Sequence, residues 1–309
     1  TADTISGDMT DSHWLSLITD RRQTGPVTPP ADATARVPEI QGIRAVVFDV
    51  YGTLFSSGVG DISLASEENR DAAIRAVLND NGIQIAESAG SLRFDDALHS
   101  VIHHHQNKRR DEGIEYPEVE IRAVWADFIE ALTADGQIET STSIDIDTLV
   151  IDYETRVNPT QPMPGLSDLL AELRARGLVF SIISNAQFYT PLLFEAFLGQ
   201  SIGELGFCPN CNVWSYAELE GKPSQKLYQI AAERLKAHHG LRPEQCLYIG
   251  NDMRNDIWPA QALGFRTALF AGDRLSLRRR AEYPACRNLK ADAEMTELMQ
   301  ILSVVGCES

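Results

Sequence analysis

The sequence has few basic residues and no long apolar run, and both shortages exclude classes of function. Its 27 lysines and arginines stand against 44 aspartates and glutamates, so the formal net charge is −17. Because nucleic acid and anionic membranes bind basic surfaces, we expect neither as a partner. No apolar stretch approaches the roughly 18 residues that a membrane span needs, and the polar first residues lack the pattern of a signal peptide. The sequence therefore predicts a cytoplasmic protein.

Cysteine is also scarce, with five residues in a chain of 309. Only Cys208 and Cys211 are closely spaced, and this Cys-x-x-Cys pair has neither a second pair nor a histidine at zinc-finger spacing. A structural zinc site would need two more ligands. We interpret the pair as two reduced thiols in a loop, with metal binding or redox chemistry as the alternative.

The segment Asp49-Val50-Tyr51-Gly52-Thr53-Leu54 carries the most information about function. It follows the apolar run Ala45-Val46-Val47-Phe48, which predicts a strand buried on both faces. Asp49 is then expected at the carboxyl end of a buried parallel strand, where open α/β sheets bind ligands. Gly52 allows the chain to turn, and Thr53 is able to hydrogen-bond the turn. A carboxylate at this place serves as a nucleophile, a metal ligand or both, or simply caps a turn.

Three later segments place further polar groups beside predicted strands and helices. Ser184 and Asn185 follow the apolar run 178–183, and their side chains are donors for an oxyanion. Lys222 stands at the entrance of a predicted helix, where its charge is able to neutralise an anion or position a carboxylate. The run 246–249 leads into two acids and two amides, which indicate a site for a hard cation. These are Asn251, Asp252, Asn255 and Asp256. Together the segments predict one active site.

This set resembles the four motifs of the haloacid dehalogenase superfamily of hydrolases, in the same order and over about residues 43–272. The resemblance implies that Asp49 attacks an electrophilic phosphorus or carbon, and that water then hydrolyses the covalent aspartyl intermediate. It also matches Thr53 and Ser184 to the family's hydroxyl positions and Lys222 to its lysine. The candidate catalytic residues are Asp49, Tyr51, Thr53, Ser184, Asn185, Lys222 and Asp256. The candidate ligands for Mg²⁺ are Asp49, Tyr51 through its backbone carbonyl, Asn251, Asp252 and Asp256.

The alternation of strand and helix patterns predicts an α/β protein with a doubly wound parallel sheet. We predict a core from residues 41–57 and 162–309, interrupted at 58–161 by a helical insert that matches the superfamily's cap. Residues 1–40 are expected to form an extension that packs on the core or contacts a second copy, as in a homodimer. The predicted strands cover residues 45–48, 178–184, 213–216, 246–250 and 266–270. The predicted helices cover residues 12–18, 67–79, 94–112, 118–132, 146–154, 166–176, 191–198, 225–239, 257–263 and 294–304.

Two groups of basic or metal-ligating side chains have both a structural and a functional interpretation. His99, His103, His104 and His105 fall in a predicted helix of the insert. We interpret them as a polar helix face, or as a face from which one or two side chains enter the active site. The run Arg278-Arg279-Arg280 is interpreted as a solvated helix end, with partner binding as the alternative.

Tyr51 bears on the reaction because phosphatases of the superfamily usually carry an aspartate two residues after the nucleophile. That acid protonates the departing alkoxide, whereas a tyrosine with a pKa near 10 is a poorer acid at neutral pH. A leaving group that is stable as an anion does not need this proton. Halide is one such group, and the phosphate of an acyl phosphate or anhydride is another. The Asp-x-Tyr-Gly-Thr-Leu pattern resembles the 2-haloacid dehalogenase branch, which works without metal.

The fourth motif instead resembles the magnesium-binding phosphatases, and either Asn251 or Asp252 fills the position of the direct metal ligand. The halide-binding arginine of the dehalogenases has no clear counterpart among Arg70, Arg75, Arg93, Arg109 and Arg122. We favour a magnesium-dependent hydrolase of a small phosphorylated metabolite. The alternatives are a metal-independent 2-haloacid dehalogenase and a non-catalytic binding protein that retains the fold. In the first two hypotheses the substrate is a small anion.

Overall fold

The computed structural model describes residues 12–57, 67–140 and 143–306. The strands are β1 (Ala45–Phe48), β2 (Phe55–Ser57), β3 (Ile83–Ile85), β4 (Ile138–Thr140), β5 (Thr160–Pro162), β6 (Val179–Ser184), β7 (Val213–Trp214), β8 (Cys246–Gly250), β9 (Arg266–Phe270) and β10 (Ala293–Met295). The helices are α1 (residues 12–20), α2 (Glu67–Asp80), α3 (Phe94–Asp111), α4 (Ile121–Ala134), α5 (Ile146–Val157), α6 (Leu166–Ala175), α7 (Leu192–Leu198), α8 (Ser215–Glu218), α9 (Gln225–His239), α10 (Trp258–Ala262) and α11 (Ile301–Val304). Short 3₁₀ turns and one π-helical turn, Met253–Ile257, connect them.

The central sheet has six strands in the order β10-β9-β8-β1-β6-β7, and every pairing in it is parallel. All four residues of β1 are buried, which the unbroken apolar sequence predicts for a strand covered on both faces. Val46 and Phe48 share a hydrophobic cluster with Leu169 of α6, whereas Ala45 and Val47 share another with α9. The prediction of a doubly wound parallel sheet is therefore confirmed.

Helices α2 to α5 and the β3–β4 pair lie between β2 and β5 in the chain. β2 and β5 pair antiparallel, with Phe55 opposite Pro162, so the chain leaves and re-enters the region of the sheet through adjacent strands. The buried residues of these helices include Trp125 of α4, whose ring centroid lies 5.4 Å from that of Tyr153 of α5. Helices α4 and α5 therefore pack on each other, and the buried hydrophobic residues of α2 to α5 belong to the same hydrophobic cluster as Val46 and Phe48 of β1.

The described part of the N-terminal segment packs against the same helices. Ile18 of α1 is 2% exposed, and Trp14 donates a hydrogen bond from Nε1 to Thr148 Oγ1 at 2.9 Å. Farther along, Arg36 forms an isolated antiparallel bridge with Glu294. No helix in the described ranges is long and apolar enough to cross a membrane.

Three predicted elements differ from the structure. The helix predicted to begin at Glu118 begins at Ile121, because the Glu120 carboxylate caps it while Pro117 pairs with Glu220. The strand predicted at 213–216 ends at Trp214, and the following residues form α8. The helix predicted at 294–304 begins as strand β10, since residues 293–295 pair with β9, and only its end is helical.

Candidate active site

Asp49 lies where the central strands of the sheet end. Its backbone N–H donates to the carbonyl of Ile249 at 2.9 Å, which continues the pairing of β1 with β8. Its side chain is 10% exposed, and Oδ1 accepts hydrogen bonds from Ser184 Oγ at 2.9 Å and from Lys222 Nζ at 2.8 Å. Among the described residues, none donates a hydrogen bond to the second oxygen, Oδ2. The carboxylate is thus held by one oxygen, with the other available to react.

The turn after Asp49 depends on a glycine at residue 52. Gly52 has φ +81°, a conformation that residues with a Cβ rarely adopt. A Cβ at this position would lie 2.6 Å from Asn251 Nδ2 and 2.6 Å from Ser276 Cβ, so the close approach of these chains also requires glycine. Thr53 Oγ1 donates to Asn251 Oδ1 at 3.3 Å, and Asn251 Nδ2 donates to the Ser276 carbonyl at 2.6 Å. The Thr53 hydroxyl, a candidate catalytic group in the sequence, therefore helps to position Asn251 of the fourth motif.

Lys222 connects Asp49 to the fourth motif. Its buried ammonium donates to Asp49 Oδ1, to Asp256 Oδ1 at 2.7 Å and to the Tyr248 hydroxyl at 2.8 Å. Its backbone N–H donates to Asn185 Oδ1 at 2.8 Å. Burial lowers the pKa of Lys222, but the charges of Asp256 and Asp49 outweigh burial, and the net shift is upward. The ammonium therefore remains charged at neutral pH.

Asp256 is also buried, and Lys222 is one of its three hydrogen-bond partners. It accepts from Lys222 and from Tyr248, both at Oδ1, and its Oδ2 accepts from the backbone N–H of Asp252 at 2.9 Å. Burial raises the pKa of Asp256 to about 6, although the Lys222 charge opposes this shift. Gly250 leaves room for this carboxylate, since a Cβ there would overlap it.

Asp252 is paired with an arginine from a distant part of the sequence. Arg280 donates from Nη2 to Asp252 Oδ2 at 2.7 Å and from Nε to both carboxylate oxygens. Asp252 Oδ1 also accepts from the backbone N–H groups of Arg254 and Asn255, which caps the π-helical turn. The predicted solvated helix end at 278–280 is wrong, because these residues are not helical and Arg280 forms an ion pair at the site.

Tyr51, which follows Asp49 by two residues, forms a hydrogen bond between its hydroxyl and Thr190 Oγ1 at 3.0 Å. Burial raises the pKa of Tyr51 to about 12, and hydrogen bonds with Thr190 and Tyr189 only partly offset that rise. Tyr189 in turn donates to Glu154 Oε2 at 3.2 Å. The phenol is thus a neutral member of a buried hydrogen-bonded group.

A cavity of about 580 Å³ lies over Asp49, between the sheet edge and the helices of the insert. Its lining includes Arg70, His99 and His103 from the insert, and Arg278 from the loop after β9. Of the five arginines considered for halide binding, only Arg70 lines this cavity, and it forms a paired ion contact with Asp95. His99 and His103 therefore do enter the site, as one of the two interpretations of the histidine cluster expects.

Two further acids line the cavity. Burial, aided by the nearby charge of Glu118, raises the pKa of Glu154 to about 7. Burial also raises the pKa of Glu118, although hydrogen bonds from Ser215 and Val119 act against the rise. Carboxyl groups whose pKa is raised by burial in a cleft are typical of functional sites.

Comparison with known proteins gives the family. A family model described as haloacid dehalogenase-like hydrolase matches residues 43–264. The chain belongs to this family of hydrolases. The predicted membership of the haloacid dehalogenase superfamily is thereby confirmed, and the chain is an enzyme of the hydrolase class.

Several solved structures resemble this hydrolase in fold. The L-2-haloacid dehalogenase from Xanthobacter autotrophicus is 20% identical with a TM-score of 0.45, and the match covers 84% of this chain and 96% of that one. A haloacid dehalogenase-like phosphatase from Thermococcus onnurineus is 16% identical with a TM-score of 0.47, over 84% and 96%. The putative hydrolase YfnB from Bacillus subtilis, bound to magnesium, is 18% identical with a TM-score of 0.42, over 84% and 97%. No curated protein matches the chain significantly.

The fold brings together every residue predicted for the active site of this hydrolase, but the sequence did not identify three of their neighbours. Tyr248 lies within an apolar strand, where nothing distinguishes it from a core residue. Arg280 reaches Asp252 through a loop whose course no local pattern predicts. Glu154 could have been noticed, since it is an acidic residue among the buried residues of α5.

Proposed function

We propose that this hydrolase removes a phosphoryl group from a small phosphorylated metabolite with the help of Mg²⁺, and that the group it displaces is stable as an anion. The observation that carries the proposal is Tyr51. A phenol with a pKa of about 12, hydrogen-bonded to Thr190, stands where phosphatases of the family place a general acid. General acids work best when their pKa lies near the operating pH. The preferred substrate is therefore an acyl phosphate or a phosphoanhydride rather than an alkyl ester.

In the first step, Asp49 Oδ2 attacks phosphorus, and the bond from phosphorus to the leaving oxygen breaks. The leaving group departs as an anion, and an aspartyl phosphate forms on Asp49. Lys222 and Ser184 hold Oδ1 through the hydrogen bonds at 2.8 and 2.9 Å, which fix the carboxylate for attack. In the second step, water attacks phosphorus, phosphate leaves, and the Asp49 carboxylate is restored.

The oxygen atoms at and around Asp49 are suited to bind a magnesium ion, with the Asp49 carboxylate as its one charged ligand. The Asp49 carboxylate, the Tyr51 carbonyl and Asn251 Oδ1 are hard oxygen donors, and Mg²⁺ in proteins commonly binds one or two carboxylates together with several waters. Asp252 and Asp256 are less suited, because Arg280 and Lys222 hold their carboxylates. We therefore assign Asn251, rather than Asp252, as the ligand from the fourth motif. A bound Mg²⁺ would neutralise charge on the phosphoryl oxygens.

The cavity supports a metabolite larger than a two- or three-carbon acid. Its volume of about 580 Å³ is in the range of roughly 300–1,000 Å³ of sites that enclose whole small-molecule ligands. Lys222 and Arg278 supply positive charge for an anionic substrate, and His99 and His103 face it from the insert.

The test is a substrate panel with purified protein and Mg²⁺. We expect phosphate release from acetyl phosphate and much slower release from glycerol phosphate, with both activities absent in Asp49→Asn. Faster turnover of the alkyl ester would contradict the assignment of the leaving group. No release from any phosphorylated compound would contradict phosphoryl transfer altogether.

A metal-independent 2-haloacid dehalogenase is the second candidate. Tyr51 favours it as well, because halide also leaves without a proton, and both acids of the fourth motif already have cationic partners. The same panel therefore includes 2-chloropropionate with EDTA. Halide release under these conditions, lost in Asp49→Asn, would establish this function in place of the first. A protein with neither activity would favour the binding-protein hypothesis.

A further inference from the structure

A second cluster of potential ligands lies away from the active site. The ligand atoms of Cys208, Cys211 and His239 all lie within 4.8 Å of one another, and His239 Nε2 is 3.3 Å from Cys208 Sγ. In the described ranges, this is the only set of three or more histidine, cysteine or acidic side chains arranged closely enough to hold a metal ion. The histidine follows Cys211 by 28 positions, so the sequence does not show the ligand spacing of a zinc finger.

The fold holds both halves of this cluster in place. Cys208 and Cys211 flank a 3₁₀ turn, in which the N–H of Cys211 donates to the Cys208 carbonyl at 3.0 Å. The N–H of Cys208 donates to the carbonyl of Phe180 in β6 at 2.9 Å, which fixes the turn against the sheet. His239 is the last residue of α9, and the left-handed Gly240 ends the helix there.

We propose that Cys208, Cys211 and His239 bind a zinc ion. Two thiolates and one imidazole are the ligands that Zn²⁺ prefers, and two cysteines separated by two residues have a spacing that is typical of zinc sites. Zinc binds sulfur at about 2.3 Å and nitrogen at about 2.0 Å, so a tetrahedral site separates these two atoms by about 3.5 Å. The observed 3.3 Å between His239 and Cys208 is close to that separation.

The surroundings of the cluster leave room for a fourth ligand. Cys211 is buried, whereas Cys208 is half-buried and His239 is exposed, so water is able to complete the tetrahedron from the surface. Three protein ligands and one water are a known arrangement for protein-bound zinc.

The cluster lies at the end of α9 that is remote from Lys222. Helix α9 begins three residues after Lys222 and extends for 15 residues to His239. At 1.5 Å per residue this is about 22 Å, which separates the zinc from the aspartyl chemistry. A metal here joins the far end of α9 to the turn that precedes β7, so we expect it to stabilise the edge of the sheet.

The test uses the full-length protein, reduced and stripped of metal. We expect it to take up about one equivalent of Zn²⁺, and to show thiolate-to-metal charge-transfer absorption when Co²⁺ replaces zinc. His239→Ala and Cys208→Ser should each weaken binding by about 100-fold or more, because each removes one of three protein ligands. His238→Ala is the matched control, since it removes the neighbouring histidine, which lies outside the cluster.

Two results would overturn the proposal. One is wild-type protein that takes up neither zinc nor cobalt under reducing conditions. The other is a folded His239→Ala variant, verified by circular dichroism, that binds zinc as tightly as His238→Ala. A rise in the midpoint of thermal unfolding on addition of zinc, present in the wild type and absent in His239→Ala, would support the expected stabilisation of the sheet edge.

Discussion

Replacement of Tyr51 by phenylalanine tests the assignment of the leaving group most directly. The ring packs against the hydrophobic core, so the substitution keeps that packing and removes only the hydroxyl. The hydroxyl forms a hydrogen bond with Thr190 Oγ1 at 3.0 Å. Removal of such a bond usually lowers the free energy of unfolding by about 0.5–1.5 kcal/mol. For a chain of 309 residues we expect the midpoint of thermal unfolding to fall by about 1–2 °C.

The expected effect of Tyr51→Phe on catalysis is small, because the phenol is not required to protonate the leaving group. If it were the general acid, its loss would lower kcat by about 100-fold to 10,000-fold. We therefore expect kcat for acetyl phosphate in the presence of Mg²⁺ to change by only a few-fold. Thr190→Val is the control, since it removes the same hydrogen bond from the other side, together with the one that Thr190 Oγ1 accepts from the Gln187 N–H at 3.2 Å. A large fall in kcat in Tyr51→Phe alone would refute the reasoning.

Three further substitutions test the charges of the site. Asp49→Asn should abolish turnover while its amide oxygen still accepts from Lys222, so thermal unfolding should be nearly unchanged; detectable turnover would contradict a covalent role. Lys222→Met should destabilise the protein by about 3–5 kcal/mol in urea unfolding, because it leaves buried carboxylates unpaired, and less at pH 5, where Asp256 takes up a proton. Glu154→Gln concerns a carboxyl whose pKa rises on folding from 4.5 to about 7. The contribution of this carboxyl group to the free energy of unfolding of the wild type is fully present below pH 4.5, and it is lost as the pH rises through 7. The variant should therefore gain up to about 3 kcal/mol relative to wild type between pH 5 and pH 8, and a constant difference would contradict the shift.

The sequence predicts the sheet well because its signals are local. Buried parallel strands such as 45–48 and 246–250 are short apolar runs, and their ends carry the polar residues that form the site. Elements that depend on distant partners were missed. β10 exists because Ala293 and Met295 pair with β9, yet its residues alone resemble the start of a helix.

The candidate site follows the same division. The predicted nucleophile, the lysine and the fourth motif each lie beside a recognisable strand or helix, so the convergence of these residues at one edge of the sheet could be predicted. The partner of the fourth motif could not, since Arg280 and Asp252 are 28 positions apart in the sequence. Whether Asn251 or Asp252 serves a metal also depends on such a partner, because Arg280 is what holds Asp252.

The charge of the ion-pair network connects the metal to the kind of substrate. Three carboxylates, those of Asp49, Asp252 and Asp256, face the two cations Lys222 and Arg280, which leaves one excess negative charge. A phosphate dianion meets repulsion from this excess unless a divalent cation is bound, whereas a haloacid has only one charge. Metal dependence and substrate charge should therefore vary together. Activity on phosphorylated compounds should require Mg²⁺, and any halide release should not.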